Sequence, residues 1–213
     1  RVLGGVIVTA AGRRQEGEES EETGRETMAH RGWLSRKVGP AGVAAVEVLG
    51  RGLPRSRPMA YVEVTDPRPH VRQITLNRPE RMNAMSFDTI IPLREALEAA
   101  GHDNDCWVVI LTGNGDGFCS GLDLEDAGVP PHADGLTLSR LAIRAMEYFG
   151  DIVPQMRKLP QPVIGAVNGP AIGGGMCLSM GTDIRIAAES AYWRAAGINN
   201  GLGAIELGLS WTL

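Results

Sequence analysis

Two stretches of this chain follow one plan. "WVVILT" (107–112) and "PVIGAV" (162–167) are short apolar runs, and each gives way to a glycine-rich loop, "GNGDGFCSGLDLED" and "NGPAIGGG". A short apolar run bounded by glycine is the pattern of a strand buried on both faces, as in a parallel sheet. Helix-like sequence follows both loops, and parallel strands need such crossovers. Strands alternating with helices define an α/β class. In open α/β sheets, ligands bind at the carboxyl ends of the strands, where both loops fall. The triplet Gly173–Gly175 opens the helix-like "GGGMCLSMG". A glycine inside a helix costs about 1 kcal/mol relative to alanine. The triplet therefore has either a packing reason or a chemical one, because bare N–H groups at a helix start hold an oxyanion or a phosphate.

Other segments fill in the pattern. "YVEV" and "VRQITL" read as strands and "DIRIAA" as another. "SFDTIIPLREALEAAGHD" predicts a helix with Ser86 as N-cap and Leu93, Leu97 and Ala100 on one face. Pro92 predicts a late start or a kink in it. One long helical segment is expected from Leu136 to Lys158. Residues 1–58 read differently. "RRQEGEESEETGRE" is a polar charge run and "GRGLPRSRP" a linker, with no lasting periodicity. This stretch is expected to be a disordered or non-native extension, and residues 59–213, from Met59, the organised core.

Composition narrows the function. The net charge is −4, and residues 59–213 carry eleven Lys+Arg against eighteen Asp+Glu, which argues against a nucleic-acid surface. No apolar run is long enough to span a bilayer, and the first residues lack a signal-peptide pattern. Three cysteines (Cys106, Cys119, Cys177) without CxxC spacing oppose a disulfide framework or zinc site and fit a reducing cytoplasm. The histidines (His30, His70, His102, His132) show no metal spacing and are expected in loops or on the surface. GxGxxG fails because Phe118 stands where the third glycine belongs, GxxxxGK[ST] is absent, and no histidine follows Ser179 to complete a hydrolase triad. Two N–H groups from the two glycine loops could instead converge on one oxygen, as stabilising an enolate requires.

"ITLNRPERMNAM", "VVILTGNGDGFCSGLDLED" and "PQPVIGAVNGPAIGGGMCLSMGTDIRIAAESAYW" occur in this order between Tyr61 and Leu213. Together they resemble the crotonase (enoyl-CoA hydratase/isomerase) superfamily. The resemblance implies a spiral of ββα units acting on acyl-CoA thioesters, with no cofactor beyond the coenzyme A of the substrate. It implies a homo-oligomer, a trimer or a dimer of trimers. It also implies a further C-terminal helical segment that this chain is expected to lack. By the same resemblance, the Leu122 and Gly174 N–H groups form an oxyanion hole, and Ser120, Gly121, Leu122, Asp123, Leu124, Glu125, Gly173 and Gly174 border the substrate. Typical hydratases carry glutamates where this chain has Cys177 and Gly197, so water addition by two facing carboxylates is not implied. Cys177 is expected to be a packing residue, and Asp123 and Glu125 to be structural or loop carboxylates. Glu206 falls near the position where dienoyl-CoA isomerases and 4-chlorobenzoyl-CoA dehalogenase carry an acidic residue, and is the expected base. The expected function is an acyl-CoA-processing lyase or isomerase; the alternative is a silent acyl-CoA binder or an inactive fragment.

Overall fold

The computed structural model describes residues 7–10, 61–200 and 206–212. The remaining residues of the 1–58 stretch, and Met59, lie outside the described residues. Within that stretch Ile7–Ala10 forms a strand, β1, in the same compact unit as residues 55–213. Its apolar and β-branched "IVTA" suits a strand.

Val62–Arg68 (β2) and Val71–Leu76 (β3) form an antiparallel hairpin, with His70 in the left-handed region at the turn. Phe87–His102 (α1) then crosses to Val108–Gly113 (β4), which pairs parallel with β3. Leu138–Gly150 (α2) and Ile152–Lys158 (α3) lead to Val163–Val167 (β5), parallel to β4. Ala171–Ile172 (β6), Gly174–Gly181 (α4), Ile184–Ala188 (β7), Trp193–Arg194 (β8) and Leu209–Thr212 (α5) complete the elements. The main sheet has the order β1-β7-β5-β4-β3-β2, parallel except for β2, and β6 pairs with β8 separately. The units β2-β3-α1 and β5-β6-α4 repeat the ββα plan.

Strand alternation works as the sequence implied. Val109 and Leu111 of β4 are fully buried, as are Ile74 and Leu76 of β3. Leu93, Leu97 and Ala100 share the inner face of α1 and are fully buried with Ile152 and Val153 of α3 in one cluster. Two helical expectations need correction. α1 starts at Phe87, directly after Ser86, and runs through Pro92. Its first turn is held by the Ile90 N–H donating to Ser86 O at 2.8 Å and by buried Phe87, Thr89 and Ile90, so packing outweighs the proline. The expected 136–158 helix is two helices meeting at Asp151. Pro154 has no N–H for the Gly150 carbonyl, so the helical ladder breaks there.

Truncating the fully buried Leu97 to alanine is expected to destabilise the chain by about 2–5 kcal/mol through lost contacts and a residual cavity. Urea unfolding measures it; a midpoint equal to wild type would contradict this packing.

Candidate functional site

β4 and β5 are parallel neighbours, so the loops that leave them emerge at the same edge. Two asparagines, Asn83 and Asn168, shape the first loop. The Asn83 side chain, fully buried with its backbone left-handed, donates to Asn114 O (2.9 Å) and Gly117 O (2.8 Å) and accepts the Arg78 N–H (2.8 Å). Asn168 donates to Gly115 O at 2.8 Å and accepts the Gly113 N–H at 3.2 Å. A glycine-rich loop carries many main-chain groups and few side chains to satisfy them, and these amides supply the partners. Neither asparagine was assigned a role from sequence. The usable signal was an amide side chain beside a loop rich in unpaired carbonyls.

Beyond Phe118 the chain lies between two others. The Ser120 N–H donates to Met82 O, the Met85 N–H to Gly121 O at 2.7 Å, and the Asp123 N–H to Met85 O at 2.9 Å. On the other side Cys119 bridges Ala171, with the Ile172 N–H donating to Cys119 O at 2.9 Å. In the parallel bridge between Met85 and Leu122, the groups that face Met85 belong to Gly121 and Asp123. The Leu122 N–H therefore turns away from Met85. Gly121 has a positive φ of 93°, and a Cβ there would stand 2.8 Å from Ile172 O and 3.1 Å from Gly174 N. Only glycine permits that approach. Gly173 (φ 53°) precedes α4 and donates its N–H to Arg194 O, which leaves Gly174 at the helix start. Among the described residues, neither the Leu122 N–H nor the Gly174 N–H has an acceptor.

Leu122 and Gly174 both line one cavity of about 90 Å³. Ser120, Gly121, Leu124 and Gly173 border it as well, with an apolar wall of Met85, Met146, Phe149 and Leu207. Gly197 is in the lining, whereas Cys177 is buried within α4. Leu207, with φ 47°, belongs to the turn Glu206–Gly208; the Glu206 side chain lies outside the described residues. Asp123 and Glu125 do not line the cavity.

Asp123 has a different task. Its side chain is 1% exposed and accepts Arg78 Nη1 at 2.7 Å and Arg81 Nη2 at 2.8 Å, besides the Glu125 and Asp126 N–H groups at 3.0 Å. Burial alone would raise its pKa. The donors, Arg81 foremost, outweigh that and hold it down at about 2. Asp123 is thus a latch between the loop and the 78–85 segment, ionised at neutral pH, not a proton carrier. Glu125 is an exposed partner of Arg81 at 2.9 Å, and the two carboxylates raise the Arg81 pKa. Burial pushes the Cys119 thiol up to about 12, so its sulfur serves as an acceptor for the Gly121 N–H at 3.4 Å. His70 lies at a turn, stacked on Trp107, His132 is in a loop and His102 ends α1, while His30 lies outside the described residues. Among the described residues no helix is long and apolar enough to cross a membrane.

Adjacent parallel strands thus bring two glycine-rich loops to one largely apolar cavity of an α/β scaffold. The sequence model of the Enoyl-CoA hydratase/isomerase family matches residues 68–213. The chain is 58% identical over 155 residues to a "Probable enoyl-CoA hydratase" of Mycobacterium bovis, covering 73% of this chain and 54% of that relative. It is 40% identical over 143 residues to the 1,2-epoxyphenylacetyl-CoA isomerase of Escherichia coli, covering 67% and 53%. A crystal structure of a probable enoyl-CoA hydratase/isomerase from Mycobacterium abscessus superimposes with a TM-score of 0.66 at 51% identity, over 72% of this chain and 56% of that one. This chain belongs to the enoyl-CoA hydratase/isomerase family and has its crotonase fold. It spans about half the length of the curated relatives it matches.

Replacing Asp123 by asparagine removes the buried counter-charge of Arg78, leaving only the exposed Asp126 and Glu80 at 3.9 and 4.0 Å, and is expected to cost about 3–5 kcal/mol at neutral pH. A depressed native pKa contributes stability that is complete above about pH 4 and lost as pH falls toward 2. Thermal melts from pH 7 to 2 should show that acid limb in wild type and a flatter one in Asp123→Asn; parallel limbs would refute the latch.

Proposed function

We propose that this chain carries the acyl-CoA site of an enoyl-CoA hydratase/isomerase-type enzyme, in which the Leu122 and Gly174 N–H groups stabilise a thioester enolate. One observation carries the reading: two loops from neighbouring parallel strands meet backbone to backbone, and each contributes to the cavity lining a residue, Leu122 or Gly174, whose N–H has no acceptor among the described residues. Donors already in place cost no reorganisation when negative charge develops on the thioester oxygen, and removal of one typically slows such a reaction about 10²–10³-fold. Gly174 adds the positive end of α4 to its own N–H. The apolar wall of Met85, Met146, Phe149 and Leu207 suits an acyl group and keeps water from the enolate. Main-chain donors cannot accept a proton. Glu206, whose turn carries the wall residue Leu207, is proposed for that step. Proton transfer between carbons of the thioester then makes isomerisation the favoured chemistry. A cytoplasmic location and a homotrimer belong to the same proposal.

A second reading is a silent acyl-CoA binder. It is favoured by the uncharged residues at the two positions matched by glutamates in typical hydratases: Gly197 in the cavity lining and Cys177 in α4.

Three variants separate the readings. Gly174→Pro deletes the donor, while Gly174→Ala keeps it and only crowds Met85 and Leu207. Proline is expected to slow α-proton exchange of an acyl-CoA in deuterated water about 10²–10³-fold, well beyond alanine. Glu206→Gln is expected to slow it about 10²–10⁴-fold with little change in affinity. Exchange that survives both Gly174→Pro and Glu206→Gln would overturn the assignment. An acyl-CoA that raises the melting temperature of a wild type showing no exchange would establish the silent binder.

A further inference from the structure

α4 carries Gly174 at its first position, yet little inside the helix stabilises it. It has eight residues, three of them glycines (Gly174, Gly175 and Gly181). Helices this short do not persist on their own propensity, so clamps outside α4 must hold it. At its amino end Gly121 abuts Gly174 N. At its carboxyl end the clamp is a cation. Arg185, in the adjoining β7, is 8% exposed, and its Nη1 donates to Thr182 O at 2.9 Å, Met180 O at 3.3 Å and Ser179 O at 3.4 Å. Those are the carbonyls a helix leaves unpaired at its end, where positive charge is favoured.

This cation has no carboxylate partner within ion-pair distance among the described residues, and its buried Nε has no hydrogen-bond partner there. Burial lowers its pKa, Arg157 lowers it further, and Asp183 opposes them. Asp183 is engaged with Arg157 at 2.9 Å. A buried guanidinium is costly to retain unless its contacts stabilise something specific. Neighbouring bonds reinforce the same end: the Thr182 hydroxyl donates to Ser179 O at 2.6 Å, and Trp193 Nε1 donates to Ser179 Oγ at 2.8 Å.

We propose that Arg185 is a positioning residue for the oxyanion site: it clamps the carbonyl end of α4 and thereby keeps the Gly174 N–H at the other end opposite the Leu122 N–H. The inference rests on the enolate-stabilising reading above for its catalytic consequence. Its structural part stands without it. A single nitrogen makes all three contacts, so an ammonium group can replace the guanidinium, whereas an apolar side chain of similar length cannot.

The test compares wild type, Arg185→Met and Arg185→Lys as full chains. Amide hydrogen exchange read by mass spectrometry is expected to speed up about 10–100-fold in residues 173–181 of Arg185→Met. Residues 71–76 and 108–113 keep their protection, and Arg185→Lys restores α4. With butanoyl-CoA as probe, kcat for α-proton exchange is expected to fall about 10–100-fold in Arg185→Met, KM to stay within about twofold, and lysine to recover most of the loss. Unchanged protection of α4 in Arg185→Met, or a loss spread evenly over the sheet, overturns the clamp and leaves Arg185 a packing residue. If the clamp is seen but wild type exchanges no α-proton, the enolate reading fails and the clamp stands. Arg185→Gln replaces Arg185→Met if that variant does not fold, and is read in the same way.

Discussion

Gly121 and Gly174 touch through their main chains, and the site is arranged around that contact. A methyl group on Gly121 would press on Ile172 O and Gly174 N, one on Gly174 would enter Met85, and one on Gly175 would strike the Cys119 carbonyl. The absent side chains of Gly121 and Gly175 thus let the two loops approach backbone to backbone beside one cavity. Everything around them maintains that approach. Asn83 and Asn168 satisfy the carbonyls of the first loop, Asp123 ties its far end to Arg78 and Arg81, and Arg185 anchors the helix that begins with the second. The parallel register of β4 and β5 brings the two loops to one edge.

The electrostatics follow the same division. The charged groups near the site are engaged in holding backbone, and none of the described ones enters the cavity. Asp123 is held ionised by two guanidinium groups and two N–H groups, so it neither gives nor takes protons near neutral pH. Raised well above the usual thiol range, Cys119 stays protonated and contributes only lone pairs.

Much of the fold was legible because it rests on local periodicity. The strand runs in "VRQITL", "WVVILTG", "PVIGAV" and "DIRIAA" all form strands, and the Leu93, Leu97 and Ala100 stripe faces the core. Pro92 misled because burial of Phe87 and Ile90 outweighs one missing hydrogen bond, and the break at Asp151 went unread because Pro154 acts four residues back. Of the candidate site, the two loops and their facing glycines were visible as motifs, whereas the latch was not. Arg78 and Asp123 are 45 residues apart, and no pattern along the chain marks them as partners. Asn83 stood inside a motif that pointed to a family, but a motif does not say which carbonyls an amide will meet.

The groups that Leu122 and Gly174 present to the cavity belong to the peptide backbone, and this governs how such a site can diverge. A codon change at position 122 alters the wall beside the donor and leaves the donor in place; among the twenty amino acids only proline removes it. The polar centre is therefore shielded from most mutation while its apolar surroundings drift freely. On the proposed enolate-stabilising role, a lineage built on this arrangement can exchange one acyl group for another, or one proton acceptor for another, without first rebuilding the donors.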